Sequence, residues 1–384
     1  AEGEVRLVGA SINGELNCEG GTFTNKGGLA LFGDAVHVTG NALLSAGFKA
    51  EGEVRLLGAT MKSLNCEGGI FTNKGGYALN LDKAKIGSVF LRNGFKAEGK
   101  VWLAAVAIDG QLDCTDGTFS APDEIGLNMQ GTAIGGSFLW QPRELVGTTG
   151  VDLTAASVSL LVDDVALWPQ PGRMRLDRFA YGGFAPGSAS DAATRIEWIE
   201  STGEFHSQPY EQLAAVFRSM GKTVEARDVG IAKEKARSGT LRGWRRFWHK
   251  TWGVFTAFGY RPGKALSIFA AILLFAGLFF SWAGSSGVME PTDLAEEALA
   301  TVCTEKYPCY EPFIYAADVI IPIVDLDQRD AWAPNVASGG TDVGYWPWAV
   351  GGSTVRWIAV LLVAAGWALT AALIASASQT ISRG

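Results

Sequence analysis

Cysteine stands at positions 18, 66 and 114, each time two residues after a leucine, in the segments LNCEGG, LNCEGG and LDCTDG. A thiol recurring at fixed spacing has three chemical uses: metal ligation, redox exchange, or service as a small apolar rung in a stack. The histidines do not favour the first, because His37, His206 and His249 follow no repeat and none recurs with the cysteines. Acids raise a second chemistry. The third segment replaces Asn17 and Asn65 by Asp113, and Gly20 and Gly68 by Asp116, with Asp109 nearby. Clustered carboxylates are what glycoside-cleaving enzymes use as acid and base. Aspartate is also an ordinary turn former, and no catalytic residue is assigned. Nucleotide binding is offered by Gly221-Lys222-Thr223 and fails on spacing. A phosphate loop needs another glycine five residues earlier, where Val216 stands, and no strand precedes it.

The elements that would position these residues follow from an internal repeat. AEGEVRL at Ala1 returns at Ala50, and AEGKVWL stands at Ala97. Within it runs a shorter period of roughly 24 residues, marked by apolar pairs two apart: Val5/Leu7, Leu29/Leu31, Val54/Leu56, Leu79/Leu81, Val101/Leu103, Leu127/Met129, Val151/Leu153 and Met174/Leu176. A second series lies about 11 residues further on, at Leu16/Cys18, Ala42/Leu44, Leu64/Cys66, Val89/Leu91, Leu112/Cys114, Phe138/Trp140 and Leu160/Val162. Phenylalanine recurs at Phe23, Phe48, Phe71, Phe95 and Phe119. Alternation of period two means strands with one inward face. Strands this short are stable only when coil stacks on coil. The prediction for residues 1–184 is a parallel β-helix of about eight coils, with glycine at the sharp corners. VGASINGELNCEG and GTAIGGSFLW resemble the pentapeptide-repeat and related right-handed β-helix families, which implies a right-handed solenoid. Ala1 falls inside a repeat, so further coils are expected before it.

That architecture answers the cysteine question. Coils stack about 4.8 Å apart, so residues in every second coil lie roughly 10 Å from one another, beyond disulfide reach. Cys18, Cys66 and Cys114 are assigned to an apolar core ladder, with Leu44 and Leu91 in the intervening coils. No metal site and no cofactor is expected.

Residues 188–237 read as a helical connector. Leu213, Val216 and Phe217 mark one apolar face, Gly221 a turn, and Ala226, Val229, Ala232 and Ala236 the next helix. The hairpin resembles one tetratricopeptide-type helix pair. Residues 238–264 interleave cations with aromatics, and Trp244, Arg245, Arg246, Trp248, Lys250 and Trp252 are the membrane-interface candidates, facing anionic inner-leaflet lipid. Two apolar runs follow, at 265–284 and 355–378, each long enough to cross a bilayer core. With a formal net charge of −7 the chain has no electrostatic case for nucleic acid. The cations Arg237, Arg242, Arg245, Arg246, Lys250, Arg261 and Lys264 precede the first run, and the segment between the runs is mostly acidic. The positive-inside rule therefore places the β-helix and the C-terminus in the cytoplasm of a bacterial inner membrane, with 285–354 as an extracytoplasmic loop. Cys303 and Cys309 in that loop are candidates for a local disulfide.

Within the loop, PFIYAADVIIPIVDLDQRDAW contains an apolar stretch too short to cross, followed by acids. A span, a half-length apolar segment and a second span resemble the two-helix pore module of tetrameric cation channels, although no Thr-Val-Gly-Tyr-Gly filter is present. On that resemblance Asp318, Asp325, Asp327 and Asp330 are the ion candidates, and the segment is re-entrant; the alternative is a helix packed in the loop or lying on the outer leaflet. From FRSMGKTVEARDVGIAKEKAR to IPIVDLDQRDAW the chain also resembles bacterial β-helix membrane proteins labelled membrane-associated oxidoreductases. No nucleotide, haem or iron–sulfur motif supports that chemistry here. The expected fold is mixed: solenoid, helical hairpin, two transmembrane helices. The expected function is a membrane-anchored scaffold, homo-oligomeric, binding an unknown cytoplasmic protein or ligand. The alternatives are an oligomeric cation pore gated through the β-helix and, by label alone, an oxidoreductase.

Overall fold

The computed structural model describes residues 1–240, 243, 262–292, 308–321, 323–336 and 351–382. The chain forms two compact units, Ala1–Thr240 and Leu241–Gly384.

In the first unit each short strand pairs in parallel with its counterpart one coil away, making a solenoid of about seven turns. Val5, Leu31, Val54, Leu79, Val101, Leu127, Val151 and Met174 stand in register on one sheet. About eight coils were expected, and the structure has about seven turns. On the second sheet Leu16, Ala42, Leu64, Val89, Leu112 and Phe138 align in the same way.

Two registers differ from the apolar alternation. The second rung aligns Leu31, not Leu29, with Val5 and Val54. The ladder breaks between Thr24 and Leu29, where Asn25 Nδ2 holds the Leu29 carbonyl at 2.9 Å and lets the chain bulge outward. Gly33 then takes the place of an inward side chain; a Cβ there would sit 2.7 Å from the Leu56 side chain, which fills the space. At the far end Phe138 pairs with Leu161 and Trp140 with Asp163, so the inward pair is Leu161/Asp163, not Leu160/Val162. The segment SVSLLVD offers both alternations, and the apolar one is the wrong one.

Corners follow the same two columns. Gly9, Ala35, Gly58, Lys83 and Ala105 all have φ between 53° and 65°. Glycine was expected there, yet alanine and lysine adopt this left-handed geometry as well. Their amides are held by the next coil, as with Ala35 N donating to Leu57 O at 2.7 Å and Lys83 N to Ala104 O at 2.9 Å. The cost of about 1–2 kcal/mol per left-handed residue is offset by such bonds. Before the corners, Asn17, Asn65 and Asp113 each accept the amide two residues on, at 2.9–3.0 Å.

Inside, the aromatic rings form one column. Phe23, Phe48, Phe71, Phe95 and Phe119 follow one another at centroid spacings of 5.2–5.6 Å, and Trp140, Trp168 and Trp198 continue it at 5.4–5.5 Å. These spacings suit tilted aromatic contacts.

Trp198 belongs to the cap. Three helices, α1 (Ala192–Glu200), α2 (Ser207–Ser219) and α3 (Thr223–Thr240), lie in the same compact unit as the coils and share their apolar core. Asp191 caps α1 by accepting the Thr194 amide at 2.9 Å. From α2, Gln212 donates to Tyr181 O at 2.7 Å and Phe217 packs on Phe184. Gly221, at φ 74°, makes the α2–α3 turn. The helical segment thus closes the solenoid's last coil, where the strand edges would otherwise be open.

Among its described residues the second unit has two long helices, Pro262–Ser285 and Gly352–Ser382, with a short helix Pro312–Ile320 and a single turn Gln328–Ala331 between them in the chain. Met289–Pro291 pairs antiparallel with Trp332–Pro334. Both long helices contain 20-residue stretches, Leu266–Ser285 and Gly352–Ala371, long and apolar enough to cross a membrane.

Candidate functional site

The short helix is seated against both long helices by glycines. A Cβ at Gly284 would collide with the Tyr310 ring, one at Gly277 with the Phe313 ring, and one at Gly366 with the Ile320 carbonyl. Tyr310 also donates to the Phe280 carbonyl at 2.8 Å, and the Phe280 and Tyr315 rings meet edge to face at 4.7 Å. Near one end of both long helices, Asn335 N donates to Val288 O at 2.9 Å, and a Cβ at Gly352 would collide with the Asn335 carbonyl. Measured from Gly352, Gly366 is about 21 Å along its helix at ~1.5 Å per residue. The short helix therefore begins near the Met289–Pro291/Trp332–Pro334 strand pair and ends well down the pair of long helices, at Ile320.

The chain returns through a stapled loop. Asp318 is 1% exposed. Its Oδ1 accepts the Leu326 amide at 3.1 Å and its Oδ2 the Arg329 amide at 2.8 Å. Gln328, also buried, donates from Nε2 to Cys309 O at 2.8 Å and accepts the Glu311 amide at 3.1 Å. Trp332 Nε1 reaches Pro308 O at 3.0 Å. These bonds fix both ends of a short irregular stretch. Along it Ile323, Val324, Asp325, Leu326 and Asp327 are exposed, and Asp327 adopts a left-handed φ of 57°.

The four expected ion candidates are thus split. Asp318 is a buried staple whose two oxygens are taken up by backbone donors. Asp325 and Asp327 flank Leu326 and are exposed, with Asp325 Oδ1 accepting the Asp327 amide at 3.2 Å. Asp330, exposed, lies nearer the Met289–Pro291/Trp332–Pro334 strand pair, where its carbonyl accepts from the Thr292 hydroxyl at 2.5 Å. Cys309 is disulfide-bonded, while Cys303 lies outside the described residues. So do Trp244, Arg245, Arg246, Trp248, Lys250 and Trp252.

In the solenoid the cysteines are free thiols. Cys66 and Cys114 are fully buried and Cys18 partly so. Burial pushes all three thiols up from the ordinary value, with the Asp113 charge adding to the effect at Cys114. Cys66 and Cys114, sealed from solvent, remain protonated and unreactive. The acidic group around Asp113 is dispersed into structure: Asp113 pairs with Arg92 at 2.9 Å, Asp116 with Arg143 at 2.7 Å, and Asp109 is exposed. Among the described residues, no three of His, Cys, Asp or Glu are grouped to hold a metal.

The residues that the repeat does not announce lie at the solenoid's closed end. Asp163 takes the inward place held by Cys66, Leu91 and Cys114 in earlier coils. Arg195 of α1 meets it through two bonds, 2.6 and 2.8 Å, with both side chains 0% exposed. Trp168 Nε1 donates to the same carboxylate at 2.7 Å, and the guanidinium lies 3.9 Å over the Phe184 ring. A separate cavity of about 340 Å³, not lined by this cluster, opens where the last coil meets the α1–α2 loop, walled by Arg175, Asp177, Glu204 and His206. His206 Nε2 and Glu204 are 3.5 Å apart, but the Glu204 side chain is 85% exposed, so the pair sits in solvent.

Comparison with family models, with curated proteins and with solved structures finds no match.

Proposed function

We propose that the protein is a bacterial inner-membrane protein whose solenoid, held on the cytoplasmic side, is a rigid binding or scaffolding surface. One contrast carries the reading. Of the large apolar side chains exposed among the described residues, only Val8, Met220 and Val224 belong to the solenoid unit; Leu266, Leu274, Phe275, Leu278, Trp357, Val360, Leu361, Trp367 and the rest belong to the second unit. A surface of that kind is what lipid or partner protein covers. The resemblance to bacterial β-helix membrane proteins agrees with this reading, and its pentapeptide-like register and oxidoreductase label add no residue to it. The Cys303–Cys309 pairing in an extracytoplasmic loop belongs to the same proposal. Membranes washed at alkaline pH should retain the protein, and protease added to inside-out vesicles should remove the solenoid. Release by the wash, or digestion only from the opposite side, would overturn the anchoring or the orientation.

A second reading, an oligomeric cation pore, is favoured by one observation: the short helix enters between the long helices and returns as an acidic loop. Here Asp325→Asn with Asp327→Asn lowers cation flux into proteoliposomes, and unchanged flux removes both residues from that role.

A further inference from the structure

We propose that the strand edge Met174–Arg178 of the last coil binds an extended peptide segment of a cytoplasmic partner, laid on as one further rung. The proposal rests on the binding-surface reading above and names the place and the kind of partner.

The solenoid's own ladder points to this edge. In seven successive coils one column of amides donates to the coil that follows, from Leu7 N to Phe32 O through Leu153 N to Arg175 O, at 2.7–3.0 Å. A second column, at the left-handed corners, runs from Gly9 N to Asp34 O through Ala155 N to Asp177 O, at 2.7–2.9 Å. The next donors in these columns are Leu176 N and Arg178 N, and among the described residues neither has an acceptor. Met174 N is in the same position. Alternate residues of a parallel strand bond to opposite neighbours, and Arg173 and Arg175 are the ones that face back, their carbonyls accepting from Val151 and Leu153. The cap supplies only the first bond of a further rung, Gly172 N to Ser201 O at 2.7 Å, and then turns away.

The two sheets therefore end differently. On the second sheet the cap answers the edge with side chains: Ser188 Oγ accepts the Asp163 amide at 2.9 Å, and Gln212 Nε2 reaches Tyr181 O at 2.7 Å. On the sheet that carries Met174 it leaves the cavity of about 340 Å³, lined along Met174, Arg175, Leu176 and Asp177 and faced by Glu204 and His206. Donors two residues apart on a strand lie roughly 7 Å from one another, which suits successive carbonyls of an extended backbone and not one small anion. Unpaired strand edges are templates for pairing. Strand addition takes its affinity from the main chain and its selectivity from alternate side chains. That selectivity is legible on the edge's other side, where Val151 pairs with Met174 and Asp152 with Arg175. Arg175, largely exposed, selects a rung of the pattern apolar–acid–apolar.

The test uses the full chain in nanodiscs and the blocked pentapeptide Gly-Val-Asp-Leu-Thr, which copies the rung at 150–154. Hydrogen exchange is read amide by amide. Without peptide, Met174, Leu176 and Arg178 should exchange faster than Leu153 and Ala155 by about tenfold or more. Protection equal to theirs would mean that the chain itself covers the edge, and would overturn the proposal. Peptide should slow the three amides, saturably, by about tenfold or more. The charge-reversed peptide Gly-Val-Arg-Leu-Thr should bind more weakly by about threefold, the size of an exposed ion pair. Arg175→Glu, a surface change, should invert that preference. No slowing, or slowing indifferent to both charge changes, would also overturn the proposal. Alkaline-wash retention and protease access are read on membranes in parallel. Peptide binding by a chain that fails them would sink the membrane reading and keep the added rung; the converse would leave the anchored scaffold with its partner elsewhere.

Discussion

Replacing Arg195 by methionine tests how the solenoid is closed. Methionine keeps most of the side-chain volume and removes the charge. In the native chain the guanidinium makes two bonds to Asp163, a third to Ala189 O at 2.7 Å, and a face contact with Phe184. After Arg195→Met, the Asp163 side chain keeps only the Trp168 indole donor among these partners, in a setting that is 0% exposed. Removing one partner of a buried pair costs about 3–5 kcal/mol. At about 1.36 kcal/mol per tenfold, that is roughly two to nearly four orders of magnitude in a local opening equilibrium. Hydrogen exchange on the nanodisc-bound protein reads it directly: amides of Ser157–Asp163 and of α1 should lose protection by that factor, while coils near Phe71 keep theirs. The companion variant decides the cause. Asp163→Leu with Arg195→Met places leucine where Leu91 and Leu44 sit three and five coils earlier, and a buried pair exchanged for apolar packing is close to neutral. Protection should largely return. If Arg195→Met leaves exchange unchanged, or the double variant is worse than the single, the ion pair is not what closes this end.

Other outcomes follow from the same structure. Alkylation of the native protein should modify Cys18 first, with Cys66 and Cys114 reacting only on unfolding, since burial both shields those thiols and keeps them protonated. Burial raises the Glu53 carboxyl above the ordinary 4.5, more than Asn80 and Arg55 lower it. The folded state therefore favours the protonated form, and stability is lost as pH rises through the folded value. Glu53→Gln should melt higher than the native protein at pH 7, with the gap closing below about 4.5; a gap that widens toward acid would reverse the sign. Gly366→Ala brings a methyl into the Ile320 carbonyl and should unseat the short helix. Trypsin would then cut at Arg329, a site the stapled loop otherwise restrains, and a native digestion pattern would count against the seating.

The solenoid was legible because its physics repeats. Each coil restates the inward pair and the phenylalanine, so an error in one copy is corrected by the others. Where the repetition lapses, sequence pattern misleads. Leu29/Leu31 looks like a rung because both are apolar, but between Thr24 and Leu31 the strand takes seven steps where its partner takes three from Glu51 to Val54, so four residues are spent in the bulged stretch that Asn25 ties. Leu160/Val162 looks better than Leu161/Asp163 until the buried guanidinium of Arg195 is in view, and that residue comes 32 positions later. A lone arginine on an α1 face gives no sign from spacing alone. The short helix was legible as a length mismatch between two longer apolar runs. Its glycine seats could have been read from Gly277, Gly284 and Gly366 inside those runs, since glycine in a helix interior is costly without a packing reason.

The aspartates show why type and spacing did not suffice at the candidate site. Asp113 accepts a nearby amide and an arginine at a coil corner. Asp163 and Asp318 are sealed in, one answered by a guanidinium, the other by two backbone amides. Each occurs once, and each ties down a part of its unit that no repeat supports. Asp325 and Asp327 are what remains when those demands are met. Because Asp318 takes the Leu326 and Arg329 amides, the chain beside it is held with Asp325 and Asp327 exposed, Asp325 Oδ1 accepting the Asp327 amide at 3.2 Å. The buried acid thus presents the exposed ones. Asp318→Ala should disorder the loop before it changes any charge at the surface, whereas Asp325→Asn with Asp327→Asn should change the charge and leave the fold alone. If Asp318→Ala and the paired asparagine variant prove indistinguishable by exchange in this loop, the division of labour among these four acids is wrong.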